Sequence, residues 1–136
     1  MVHTLTVLTL RLAEAIGLYW LAAGVGLLLA PNRLRALIDD MERSPALVFL
    51  MGLVAFAIGT AMLMAHHVLY DPLSVIVTVV AAIAAIEGLA LIAFPQPLLA
   101  LARPFAASAP LWGMVSIVLG FLLFLAGFTG RADVLP

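Results

Sequence analysis

The sequence has no cysteine and no lysine, and its charged residues are only six arginines and seven acidic residues in 136 positions. Without cysteine there is no disulfide, no thiolate nucleophile and no cysteine-ligated metal site. The net charge of −1 provides no positive surface for a nucleic-acid backbone. So few charges cannot cover the outside of a soluble domain of this size. Soluble enzymes, nucleic-acid binders and disordered linkers are therefore excluded.

The residues that are present are mostly apolar, at 66% of the chain, where roughly 45–50% is usual in soluble domains. A helix needs about 20 mostly apolar residues to cross a bilayer core. Four stretches satisfy this requirement, and they cover residues 5–30, 46–66, 73–94 and 110–129. We predict an all-α integral membrane protein with four transmembrane helices in a single domain, 1–136.

The arginines indicate an orientation, because cytoplasmic loops carry an excess of positive charge. The loops at 31–45 and 95–110 hold four arginines, whereas the opposite side holds Arg11 and Arg131. We therefore predict that both of these loops are cytoplasmic and that both termini lie outside.

The first loop contains a short amphipathic segment. Its apolar residues recur at the i, i+3, i+4, i+7 spacing of one helix face, and they are Leu34, Leu37, Ile38 and Met41. A helix of this kind lies along the membrane interface. Two interpretations remain open: a docking surface for a partner, or a connector at the level of the lipid headgroups.

The two halves of the chain resemble each other. When the chain is aligned with itself at an offset of 64 residues, and of 61 residues after the first loop, several prolines and glycines coincide. Chance matching of apolar residues does not explain these pairs. The aligned pairs are Pro31 with Pro95, Gly24 with Gly88, Gly52 with Gly113 and Gly59 with Gly120. We predict two parallel tandem repeats, each a helix, an interfacial segment and a helix, at about 5–66 and 73–129.

Small residues form a stripe on the second helix of each repeat. These stripes consist of Gly52, Ala55 and Gly59 in one repeat, and of Gly113, Ser116 and Gly120 in the other. Small residues let helix backbones approach closely in lipid, where no hydrophobic force joins helices. We predict that both stripes are packing contacts within the bundle.

Two carboxylates fall inside apolar spans, where an ionisable side chain suggests a function. Glu14 has Arg11 three residues before it on the same helix face, so the pair either neutralises the helix end or forms a proton or cation site. Glu87 has no local basic partner. Arg33 or Arg35 could reach it from the interface, and both a structural hydrogen bond and a transport role remain open.

The loop between the second and third spans holds His66, His67 and Asp71. A metal site needs three or four ligands in fixed geometry, and adjacent histidines on a short loop do not provide it. We predict solvated interface residues there, with no metal and no cofactor. Signature motifs for hydrolases, metalloproteases, phosphate loops and dinucleotide sites do not occur.

The stretch Ile86-Glu87-Gly88-Leu89, with Phe94-Pro95 and then Trp112-Gly113, resembles the YjeT-like family of small bacterial inner-membrane proteins. The resemblance is best over about 75–128, and Ala23-Gly24-Val25 is a looser counterpart in the first half. It implies a bacterial inner-membrane protein built as a duplication of a two-helix unit whose function is unknown. Glu87 is the residue that it singles out.

A second likeness concerns the first span, where Leu12-Ala13-Glu14-Ala15-Ile16-Gly17 resembles the first helix of small multidrug resistance transporters. It would imply that Glu14 binds protons and cationic drugs. The long first loop departs from that family, and Arg11 would compete with a cationic substrate.

These observations predict a non-enzymatic accessory or stabilising subunit of a larger membrane complex. Its partners would be the lipid bilayer and either another membrane protein or further copies of the chain. The alternative is a small proton-coupled transporter that uses Glu14 or Glu87.

Overall fold

The computed structural model of the protein describes residues 3–4, 7–66, 69 and 71–132. Within these residues it contains six helices and a two-residue parallel strand pair, His3–Thr4 with Arg131–Ala132. The helices are α1 (Val7–Leu29), α2 (Arg33–Arg43), α3 (Pro45–Ala65), α4 (Pro72–Ala93), α5 (Pro95–Ala107) and α6 (Ala109–Thr129). The helices α1, α3, α4 and α6 are each long and apolar enough to span a membrane, as predicted.

The helix boundaries follow from local chemistry. Ser44 caps α3 by accepting a hydrogen bond from the backbone N–H of Leu47. Asp71 and Ser74 form a reciprocal capping box at the start of α4. Proline follows each of these caps, at a position where its missing N–H is not needed. These signals fix where each span begins.

The spans associate as two antiparallel pairs, α1 with α6 and α3 with α4. In the first pair Gly17 lies against Gly120 and Gly24 against Gly113, with almost no space between the backbones. A Cβ atom added to Gly24 would lie 2.6 Å from the carbonyl oxygen of Gly113. The Ser116 hydroxyl adds a hydrogen bond of 2.7 Å to the Trp20 carbonyl oxygen. Small residues thus set the helix distance in this pair.

The α3–α4 pair has the same kind of contact. A Cβ added to Gly88 would lie 2.6 Å from the carbonyl oxygen of Gly52, and one added to Gly59 would lie 2.4 Å from the Ala85 nitrogen. Ala55, between the two glycines of α3, is half-buried. The glycines of both predicted stripes therefore lie at contacts within the chain. The tandem repeat itself stays a prediction, but positions that it aligns make matching contacts in the two pairs.

Two apolar clusters lie at opposite ends of the bundle, and the first of them joins the α1–α6 pair to the α3–α4 pair. Where α1 and α4 begin, the cluster consists of Leu10, Ala13, Ile16, Leu73, Val77 and Leu123. At the other end the short helices α2 and α5 contribute to the cluster of Ile38, Met41, Val48, Leu91, Leu99 and Ala106. The second cluster shows that α2 and α5 are packed parts of the fold.

Candidate functional site

Glu87 lies on an exposed face of α4, inside a membrane-spanning segment. It stands six residues before the end of this helix at Ala93, which is about 9 Å along the axis at 1.5 Å per residue. The next residue, Gly88, faces α3 and contacts the backbone of Phe56. The carboxyl group is therefore directed away from the α3–α4 contact and toward the hydrocarbon region.

Glu87 makes no ion pair or hydrogen bond with any residue in the described part of the chain. Neither Arg33 nor Arg35 pairs with it among the described residues, so of the two open interpretations of Glu87, the structural hydrogen bond between helices is not formed within this part of the chain. Arg33 instead lies beside α1, where one of its guanidinium nitrogens would be 3.1 Å from a Cβ added to Gly26.

Glu14 has a different environment. Arg11 donates to both of its carboxylate oxygens, at 2.7 and 2.8 Å, as the three-residue spacing predicts. The Glu14 side chain is 18% exposed, whereas that of Arg11 is 67% exposed. Gly127 of α6 packs directly against Glu14. The negative charge is thus neutralised within its own helix, which opposes binding of a cationic substrate at this carboxylate.

A second polar cluster joins the short helices α2 and α5, which we call the interfacial platform (33–43 and 95–107). Arg103 of α5 donates to Asp39 at 2.8 Å and to Glu42, which lies three residues later on the same face of α2. The hydrogen bonds that the Arg103 guanidinium donates to the carboxylates of Glu42 and Asp39 raise the pKa of Arg103, so the guanidinium stays charged. Asp39 and Arg103 are also 64 residues apart, the offset of the predicted repeat.

The predicted docking residues of α2 divide between two environments. Ile38 and Met41 are 3% and 7% exposed and belong to the cluster beneath α5. Leu34 is half-buried against the same cluster, and Leu37 is 40% exposed. The prediction that all four form a docking face is therefore wrong for Ile38 and Met41, because α5 covers them. Leu37 is the member of the set that a partner can reach.

His66 is buried, contrary to the prediction of a solvated loop residue. It is 3% exposed, and its Nε2 and Nδ1 atoms lie 2.7 and 3.0 Å from the hydroxyl oxygens of Thr9 and Thr78. One imidazole at the end of α3 thereby bridges α1 and α4. No group of three or more metal-binding side chains occurs among the residues that the structure describes. His67 lies outside those residues.

Two cavities adjoin these groups. One, of about 250 Å³, lies beside the interfacial platform and is lined by Met41, Glu42, Val48, Phe49, Pro95 and Leu99, among others. The other, of about 460 Å³, is an apolar groove between α4 and α6 with Trp20 of α1 in its wall. Glu42 and Gln96 lie in the wall of the first cavity, and apolar side chains line the second.

Comparison of the chain with protein-family models, with curated proteins and with solved structures gave no match. The resemblance to the YjeT-like family therefore stays a prediction. The site has to be interpreted from its own residues, which are Glu87 on the lipid-facing side of α4 and the interfacial platform.

Sequence reasoning missed two of the polar contacts. The threonines that hold His66 are 57 and 12 residues away from it in the chain. For Arg103 a signal was present, since Asp39 occupies the aligned position in the other repeat and carries the opposite charge. A pair of opposite charges at aligned positions could have predicted the contact between α2 and α5.

Proposed function

We propose that the protein is a non-enzymatic accessory subunit that stabilises a larger membrane complex, with the interfacial platform as its docking surface. The observation that supports this most directly is the ion-pair network of Arg103 with Asp39 and Glu42. It ties two short helices into one surface beside the ends of all four spans. A connector that only joins spans does not require such a network.

The outer surface of the platform is suited to a protein partner. Apolar side chains remain exposed on both of its helices, with Leu37 at 40%, Leu101 at 68% and Phe105 at 47%. The platform also carries exposed charged residues on α2, which are Arg33, Arg35, Asp40 and Arg43. Apolar residues within a polar rim are typical of protein interfaces.

We further propose that the membrane is a bacterial inner membrane and that the platform lies on its cytoplasmic side. This orientation follows the arginine excess in the loops at 31–45 and 95–110. It places both termini on the opposite side.

The docking role predicts that the platform surface is needed for association. Leu37→Ser with Leu101→Ser removes two exposed apolar side chains that lie outside the buried cluster, so the protein should fold but lose its partner. Native mass measurement after gentle detergent extraction would show a complex for the unmodified protein. We expect lower occupancy of the complex for the double variant, from a dissociation constant at least tenfold higher, which corresponds to about 1.4 kcal/mol of binding free energy.

Met64→Ser is the matched control, because Met64 is 78% exposed at the opposite end of α3. Its complex should be unchanged. An unmodified protein that is extracted alone, or a double variant that keeps full occupancy, would contradict the docking role.

A proton-coupled transporter is the second candidate, and it is favoured because Glu87 has no partner among the residues that the structure describes. If transport occurs, Glu87 is the better carrier, since Glu14 is engaged by Arg11. In vesicles containing a pH-sensitive dye, a gradient of tetraphenylphosphonium, a lipophilic cation, should then drive proton flux. We expect Glu87→Gln to abolish this flux and Glu14→Gln to leave most of it. Flux that neither change affects would exclude both carboxylates.

A further inference from the structure

The outward stripe of α4 places one carboxyl group among large apolar side chains. Its members, which we call the Glu87 face, are Ile76, Ile83, Glu87 and Phe94, and their spacing keeps them on one side of the helix. Ile76 is 44%, Ile83 57% and Phe94 68% exposed. The face is therefore open in the single chain.

This carboxyl group has to find a hydrogen-bond partner outside the chain. Its position about 9 Å inside the helix end lies within a hydrocarbon core that is about 30 Å thick. A charged carboxylate is costly there, and a neutral carboxylic acid without a partner is also unfavourable. A lipid tail offers neither donor nor acceptor. The part of the chain that the structure describes supplies none for Glu87 either.

We propose that the Glu87 face is the interface between two copies of this chain, with the two Glu87 side chains as protonated acids bonded to each other. A carboxylic acid has one O–H donor and one carbonyl acceptor, so it is complementary to itself. Each acid donates to the carbonyl oxygen of the other. No proton is transferred and no charge remains in the lipid.

Symmetry makes the second copy the natural occupant. Two chains inserted in the same orientation are related by a twofold axis along the membrane normal, and such an axis brings the same surface patch of both chains together. Both Glu87 residues then lie at the same depth without any adjustment. A different protein would need a polar group at that depth on one of its own helices.

The predicted repeat also limits the assembly to two copies. The position aligned with Glu87 in the first repeat is Ala23, which has no polar group. Each chain therefore carries a single face of this kind. An interface that uses the same face on both chains closes at the dimer.

The experiment measures self-association of the purified full chain in lipid vesicles. Because the chain has no cysteine, Asn32→Cys gives one labelling site, and energy transfer between labelled copies is followed as lipid dilutes the protein. We expect the Glu87→Gln variant to associate like the unmodified protein, because an amide is also both donor and acceptor. Glu87→Leu removes both hydrogen bonds of the acid pair and should raise the dissociation constant about 5- to 150-fold.

Cross-linking gives an independent measurement. Ile83→Cys lies one turn from Glu87 and should form a disulfide-linked dimer upon oxidation. Ile58→Cys is the matched control, since Ile58 is 54% exposed on α3, and it should stay monomeric. Glu14→Gln should associate normally, because Glu14 is already paired with Arg11.

Several outcomes would overturn the proposal. They are an unmodified protein that is monomeric at every dilution, a Glu87→Leu variant that associates normally, and cross-linking that does not distinguish Ile83→Cys from Ile58→Cys. A Glu87→Gln variant as weak as Glu87→Leu would show that a neutral donor and acceptor at this position does not support association, which also contradicts the acid pair. All of these measurements use the purified protein without a partner, so their outcome does not depend on whether the proposed accessory role is correct.

Discussion

Gly59→Ala combined with Gly120→Ala should strongly destabilise the bundle. The new Cβ at position 59 would lie 2.4 Å from the Ala85 nitrogen, and the one at 120 would lie 2.7 Å from the Gly17 carbonyl oxygen. Both neighbours are backbone atoms, so a whole helix has to move rather than a side chain. Overpacking typically costs about 1–3 kcal/mol per site, and these contacts lie at the upper end of that range.

The two sites should act additively, because Gly59 belongs to the α3–α4 pair and Gly120 to the α1–α6 pair. Unfolding in mixed detergent, followed by the fluorescence of Trp20 and Trp112, would measure the loss. Gly26→Ala is the control, since a Cβ there meets only the flexible end of Arg33. A double variant that is as stable as Gly26→Ala would show that the helices are not held at this distance.

Replacement of His66 by leucine should have the second-largest effect. The change removes the imidazole contacts to Thr9 and Thr78, and with them the bridge between three spans. Hydrogen bonds between membrane helices contribute about 0.6 kcal/mol on average and up to about 1.7. For two bonds we expect a loss of about 1–3 kcal/mol in the free energy of unfolding.

A double-mutant cycle would separate the hydrogen bond from general packing. His66→Leu and Thr9→Val should be less than additive, since either change alone breaks the bond between them. Thr129→Val is the control, because its hydroxyl bonds to Leu125 within the same helix. If the two changes are fully additive, His66 stabilises the fold by its volume and not by this bond.

The spans were predictable because residues close to each boundary determine where the helix begins. Proline after a capping residue marks the start of α3 at Pro45 and of α4 at Pro72, and both predicted spans agree with the structure within one residue. The glycine stripes were predictable for a related reason. Only small side chains permit the approach that lipid-embedded helices need, so the stripes mark contacts before any partner is known.

The choice of partner helix could not be predicted in the same way. Every face of each of the four spans is mainly apolar in sequence, so a face that contacts protein cannot be distinguished from a face that contacts lipid. For this reason the sequence does not show that α1 lies beside α6, or that Glu87 faces outward while Gly88 faces α3. The burial of His66 was missed because it depends on Thr9, whose position follows from the packing of α1 near α4.

The pairing of α1 with α6 has a consequence for biogenesis. The helices α3 and α4 are neighbours in the chain and can pack as soon as both have left the translocation machinery. In contrast, α1 can complete its packing only after α6 has been synthesised, because the backbone contacts of Gly17 and Gly24 are made with α6. Until synthesis reaches Thr129, the end of α6, the side of α1 that carries Gly17 and Gly24 has no helix packed against these glycines.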